Sequence, residues 1–137
     1  MSKTVMIVED EPLFHELYEK MLEDTNYELI HAYDGSEALS KLQEVKPDII
    51  ILDMLLDMIT GDTFFLYLKS MPEFADIPVI IISALPESEF KNLRKIDPNL
   101  KYIEKLHLTK QKLLNELKKV CCLDKQHEVC GVRQVLN

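Results

Sequence analysis

Glycine is scarce, with three in 137 residues. A loop that wraps a nucleotide's phosphates needs several glycines close together, so the familiar glycine-rich phosphate motifs are excluded. Cysteine is equally sparse. Cys121, Cys122 and Cys130 all lie near the carboxyl end, and an odd count with two adjacent does not form a disulfide framework. With His127 they also lack the paired spacing of a structural zinc site. No apolar run approaches membrane-spanning length. Acids arrive in MSKTVMIVEDE before any apolar stretch of signal-peptide length. A cytoplasmic protein with no membrane partner is expected.

Basic residues are scarce in the first half. Residues 1–62 carry 4 basic and 15 acidic side chains, and residues 63–137 carry 12 and 9, for a net charge of −8. An acidic chain repels nucleic acid, so direct nucleic-acid binding is not expected. The acidic half is a candidate cation site and the basic half a candidate partner surface, although solvated faces are the ordinary outcome of such bias. Hydrophobic residues at 47% and charged residues at 29% fit one soluble globular domain.

Five short apolar runs stand out: Val5–Val8, Glu28–Ala32, Asp48–Leu52, Ile77–Ile82 and Leu100–Ile103. The third and fourth are nearly pure Ile, Leu and Val, as in parallel strands buried on both faces. The second and fifth are less pure and are expected nearer the sheet edges. Helical segments alternate with the runs. Pro12 suits a first helical position, with Phe14, Leu17, Met21 and Leu22 as the apolar stripe. Asp34-Gly35-Ser36 opens a second helix, stopped by Pro47. Gly61-Asp62 opens a third, stopped by Pro72. A weaker fourth spans Pro86 to Ile96, and Thr109 caps a fifth. Five β-α units predict an α/β fold, a doubly wound five-stranded parallel sheet with helices on both faces.

Ligands of such sheets bind beyond the carboxyl ends of the strands. The first strand ends in Glu9-Asp10, the third in Asp53, the fourth in Ser83 and the fifth in Glu104-Lys105. Clustered carboxylates repel one another, and a hard divalent ion such as Mg2+ relieves them. Lys105 can hold a phosphoryl oxygen, Ser83 can donate a hydrogen bond to another, and a carboxylate among them can act as nucleophile. Taken singly these residues have blander readings: Glu9-Asp10-Glu11 as a helix cap, Ser83 as a turn residue, Lys105 as a surface lysine. Four of them at strand ends together argue for a site.

The motifs IVEDE, DIIILDM, PVIIISA and KYIEK, at these spacings, resemble the receiver domain of two-component response regulators (the CheY-like, flavodoxin-like fold) over about residues 3–120. The resemblance implies that Asp53 is the phosphoacceptor. It makes Asp10 the main Mg2+ carboxylate, with Glu9 beside it and the Leu55 backbone carbonyl as a third ligand. Ser83 matches the hydroxyl and Lys105 the lysine that contact the phosphoryl group. Tyr102 matches the aromatic switch and Gly61 the glycine closing the loop after the phosphoacceptor. A sensor histidine kinase or phosphotransfer protein is the implied donor, and an effector or a second copy of the chain the implied output partner. Such a domain is a switch rather than an enzyme, assisting its own phosphorylation and dephosphorylation.

Three departures stand out. Asp57 replaces the family's usual proline four residues after the phosphoacceptor and adds a carboxylate near the pocket. Leu106 replaces the proline after the lysine, and cis costs a non-proline residue about 3 kcal/mol, so a trans bond is expected. Glu9 keeps the charge of the more frequent aspartate. The alternative is a pseudo-receiver, a phosphorylation-independent interaction module. A haloacid-dehalogenase-like phosphatase would need D-x-D after the first strand, which is absent. The receiver is expected over residues 1–120, with 121–137 a helix extension or truncated linker.

Overall fold

The structure, a computed structural model, describes residues 3–125. Five strands, β1 (Thr4–Val8), β2 (Glu28–Ala32), β3 (Ile49–Leu52), β4 (Val79–Ser83) and β5 (Lys101–Glu104), form one parallel sheet in the order β2-β1-β3-β4-β5. The mixed runs β2 and β5 are the edges, as their composition implied. The pure runs β3 and β4 are buried throughout. Five helices follow the strands in turn: α1 (Pro12–Met21), α2 (Gly35–Glu44), α3 (Gly61–Ser70), α4 (Lys91–Ile96) and α5 (Lys110–Lys125).

Side chains alternate along each strand, so the sheet feeds two cores. Met6, Val8, Ile50, Leu52, Val79 and Ile81 face α2, α3 and α4, meeting Leu42, Phe64, Phe65, Leu68 and Leu93. Val5, Ile7, Ile49, Ile51, Ile80 and Ile82 face α1 and α5, meeting Tyr18, Leu113, Leu117 and Val120. Three of the helices start where their sequence provides for it. Pro12 occupies the first turn of α1. Asp34 accepts the Glu37 N–H at 2.7 Å, and Thr109 the Lys112 N–H at 3.1 Å. α4 is short and is preceded by a 3-10 turn at Glu87–Phe90.

The expected α1 stripe holds at Phe14, Met21 and Leu22, which pack in or against the core, and fails at Leu17, which is exposed. Tyr18 and His15, each with an apolar body, are buried on the same helix without having been expected there. α5 continues past residue 120 to Lys125; the rest of the segment 126–137, and the cysteine side chains, lie outside the described residues.

Candidate functional site

Register brings the chemistry together. Val8 pairs with Leu52 and Leu52 with Ile81, so β1, β3 and β4 end side by side. The Asp53 N–H donates to the Val8 carbonyl at 3.0 Å and the Glu9 N–H to the Ala32 carbonyl at 3.0 Å. Carboxylate oxygens of Glu9, Asp10 and Asp53 therefore lie within 4.8 Å of one another, the one such cluster among the described residues. Glu9 and Asp53 are buried and Asp10 is half-buried.

Lys105 closes the cluster from β5. Its Nζ is 3.0 Å from Glu9 Oε1 and 3.1 Å from Asp53 Oδ2. The Glu9 contact is a charge contact only: Oε1 is buried and accepts no directed hydrogen bond, while Glu9 Oε2 accepts the Glu11 N–H at 3.1 Å. Burial, and then the Asp53 charge, push the Glu9 carboxyl up to about 7 against the pull of Lys105. Burial alone would lower the Lys105 ammonium, but the two carboxylates outweigh it and hold its pKa above the usual value. A buried acid whose Oε1 meets only the Lys105 ammonium, with two carboxylates beside it and no histidine or cysteine among them, suits a hard divalent cation such as Mg2+. One lysine cannot neutralise three carboxylates.

The pH dependence follows. In metal-free protein the folded state keeps a Glu9 proton that the unfolded chain releases, so stability falls as pH rises from about 4.5 to about 7. Burial lowers the pKa of His15, which works oppositely, costing stability as pH falls below its ordinary value. Glu9→Gln will remove the first effect. Urea unfolding in chelator is expected to show the variant more stable than the parent by about 2 kcal/mol near pH 8 and little different near pH 5. Equal midpoints at both values would contradict the assignment of a strained Glu9 charge.

The remaining expected residues occupy the rim. The Leu55 N–H donates to Asp53 Oδ1 at 3.2 Å, and the Leu55 side chain is exposed. Ser83 is fully buried, and its Oγ accepts the Leu85 N–H at 3.2 Å. Tyr102 is half-buried; its hydroxyl donates to the carbonyl of the same Leu85, and its ring lies 6.4 Å from that of Phe90. Leu85 thus engages both Ser83 and Tyr102 through its own main chain. Gly61 opens α3 hard against the end of β3: a Cβ there would sit 2.4 Å from the Asp53 carbonyl oxygen and 2.4 Å from the Met54 Cα.

Asp57 is exposed and contributes no oxygen to the carboxylate cluster. The Ile59 N–H bonds back to its carbonyl at 2.8 Å across Met58, whose φ of 70° is strained for a side-chain-bearing residue. Leu106 is 83% exposed, and its peptide bond is trans.

Three participants carried no sequence signal of their own. Phe14 brings its ring face over Lys105 at 4.0 Å. Leu85 acts through its main chain. His15 is buried beneath Glu9, with Nε2 2.6 Å from the Glu9 carbonyl. A carbonyl only accepts, so Nε2 carries the proton. His15 Nδ1 meets His31 Nδ1 at 2.6 Å, and His31 Nε2 meets Glu19 at 2.5 Å. The two imidazoles and the Glu19 carboxylate thus form one hydrogen-bonded chain ending on the Glu9 carbonyl. This chain braces the Glu9 backbone from outside. A histidine among core positions of α1, matched by one in β2, would have been the signal to follow.

Two surface concavities lie at the other end of the strands. They are lined by Lys69, Asp76, Ile77, Pro78 and Asp97, or by Lys46, Asp48 and Asp76. Lys69 there is committed to the Ala75 and Ile77 carbonyls at 3.0 Å and to Asp97 at 3.1 Å, leaving no reactive group.

The family profile described as response regulator receiver domain matches residues 5–118. Among curated proteins, the chain is similar to the polar-differentiation response regulator DivK of Brucella anthropi. The two are 39% identical over 84 residues, which is 61% of this chain and 68% of DivK. Among solved structures, chemotaxis protein CheY4 of Vibrio cholerae superposes with a TM-score of 0.79 at 26% identity, covering 88% of this chain and 99% of CheY4. The Mn2+-bound form of response regulator Rcp1 superposes with a TM-score of 0.71 at 25% identity, covering 80% and 85%.

Proposed function

The chain belongs to the response regulator receiver domain family, phosphorylation-dependent switches of two-component signalling rather than enzymes, and from that premise we propose that it accepts a phosphoryl group on Asp53 with a divalent cation held by its acidic cluster. The observation that carries this reading is the convergence of Glu9, Asp10 and Asp53 with the Lys105 ammonium at the strand ends. Glu9, Asp10, Asp53 and the Leu55 carbonyl would hold Mg2+, and the Mn2+-bound relative supports a site of this class. The ion, when bound, supplies positive charge against the incoming phosphoryl oxygens.

The chain's own groups do the rest. An Asp53 carboxylate oxygen attacks phosphorus, the bond from phosphorus to the donor's nitrogen or acyl oxygen breaks, and its electron pair leaves with the donor. Lys105 neutralises a phosphoryl oxygen, and Ser83 donates to another after giving up the Leu85 N–H. Attack of water on the same phosphorus later returns the free carboxylate and phosphate. Response regulators take this group from histidine kinases and pass the signal to effectors; here a sensor kinase or phosphotransfer protein is the proposed donor. The proposed output face is α4, β5 and α5, with Lys91, Arg94, Lys95, Lys101, Lys112 and Lys118 offering positive charge to an acidic effector or a second copy. Among the described residues no helix is long and apolar enough to cross a membrane, and a cytoplasmic place is proposed.

Intact-mass measurement with acetyl phosphate tests this. The parent is expected to gain one phosphoryl group with Mg2+ and none in chelator. Asp10→Asn should be slowed by about 100-fold or more at the same Mg2+ concentration, the scale for losing a charged metal ligand. A variant as fast as the parent would reject Asp10 as a ligand. A parent that never gains mass would favour a phosphorylation-independent module.

A further inference from the structure

We propose that Phe14 is a positioning residue for Lys105, its ring face anchoring the ammonium over the pocket when metal and phosphoryl group draw the carboxylates away. This rests on the proposed role of Lys105 at the phosphoryl group.

Three partners surround the Lys105 ammonium: Glu9 Oε1 at 3.0 Å, Asp53 Oδ2 at 3.1 Å and the Phe14 ring centroid at 4.0 Å. The first two are the carboxylates that a divalent cation would claim, and Asp53 loses an oxygen's charge when it takes the phosphoryl group. The ring is the partner whose attraction neither change removes. It attracts through its quadrupole, with no charge to be neutralised and no lone pair competing for the ammonium protons. At the moment Lys105 is needed, the aromatic face is its remaining fixed contact.

The ring is itself well held. It sits in the first turn of α1, where the Phe14 N–H bonds to the Glu11 carbonyl at 3.0 Å. It lies 6.2 Å from the buried Tyr18 ring, at the border of the core facing α1 and α5. The loop on the other side offers little. Leu106 follows the lysine as an exposed residue in a 3-10 turn spanning Lys105–His107, so its side chain gives the turn no packing against the domain. Hold on the amine comes from α1.

The test separates electrostatics from size. Phe14 is replaced by phenylalanines carrying one, two and three ring fluorines, which weaken the quadrupole while nearly preserving shape. The phosphorylation rate by acetyl phosphate at saturating Mg2+ is expected to fall stepwise, reaching about fivefold, the scale of one partly desolvated cation–π contact. Phe14→Leu should fall at least as far, and Phe14→Trp should retain the parent rate. Mg2+ affinity, titrated separately, should change less than twofold, because Phe14 contributes no ligand. A flat rate across the fluorine series overturns the proposal. NMR supplies the readout independent of turnover. The Lys105 ε-methylene protons should be shifted upfield by the ring, and should stay shifted when Mg2+ and beryllofluoride, a phosphoryl mimic, are added. Loss of the shift on that addition also overturns the proposal. If the parent takes up no phosphoryl group, the proposed function fails first, and the ring shift alone then decides the Phe14 contact.

Discussion

Asparagine in place of Asp53 will abolish phosphoryl uptake while leaving the domain folded. The two side chains are nearly isosteric, and the amide oxygen of the replacement can still accept the Leu55 N–H that Asp53 Oδ1 accepts in the parent. What disappears is the anionic nucleophile. Losing one partner of a buried ion pair is normally severe, but here Lys105 keeps Glu9 at 3.0 Å. The Asp53 charge is also one of the causes that hold the Glu9 carboxyl high, so its removal relieves a repulsion as it breaks an attraction. Intact mass after acetyl phosphate and Mg2+ should show no adduct, and thermal unfolding should occur close to the parent temperature. The informative contrary result is residual label, which peptide mapping after borohydride trapping would locate. Asp57 is the natural competitor by sequence, but it is exposed and outside the cluster; label there in the parent protein would undo the assignment of the site.

Gly61→Ala will be the most damaging single methyl group in the molecule. The added carbon would stand 2.4 Å from both the Asp53 carbonyl oxygen and the Met54 Cα, and 3.1 Å from the Asp53 carbonyl carbon. These are main-chain atoms at the end of a central strand, unable to rotate aside as a side-chain tip could. The Gly61 N–H also bonds to the Met54 carbonyl at 3.1 Å, so helix and strand are tied where they collide. Either α3 backs away from the sheet, pulling its own Phe64, Phe65 and Leu68 out of the core, or Asp53 moves. Overpacking of this kind costs about 1–3 kcal/mol, and displacement of a reacting group by about 1 Å can cost roughly 100-fold in rate. Chemical unfolding should show the loss of stability, and acetyl phosphate kinetics should show a slowing beyond what the folded fraction explains. A variant with parental stability and rate would mean that α3 and β3 are not in such close contact.

Much of this was legible in the chain because the strand runs encode their depth. DIIIL and VIIIS could only be central, and the acid, hydroxyl and amine that terminate strands could only meet at one edge. Boundaries slipped where burial and pairing part company: Ile77 is buried, yet Pro78 intervenes and the ladder of β4 begins at Val79. The α1 stripe missed at one position because leucine outweighs tyrosine on any apolar count, although Tyr18 is fully buried and Leu17 is 38% exposed. The contacts of Phe14 with Lys105 and of His15 with His31 cross between elements distant in sequence. A single sequence read by itself does not reveal such pairs, since neither partner is unusual on its own.

The double engagement of Leu85 has a consequence for mutational mapping. Its N–H serves Ser83 and its carbonyl serves Tyr102, so the joint between the end of β4 and the aromatic ring is made of main chain. An alanine scan through the loop after β4 would pass over it in silence, because every substitution except proline keeps the same N–H and carbonyl. For the same reason the side chain at position 85 is free to drift without breaking the joint. A map drawn from side chains alone would show two isolated residues with a gap between them, where the molecule has a continuous connection.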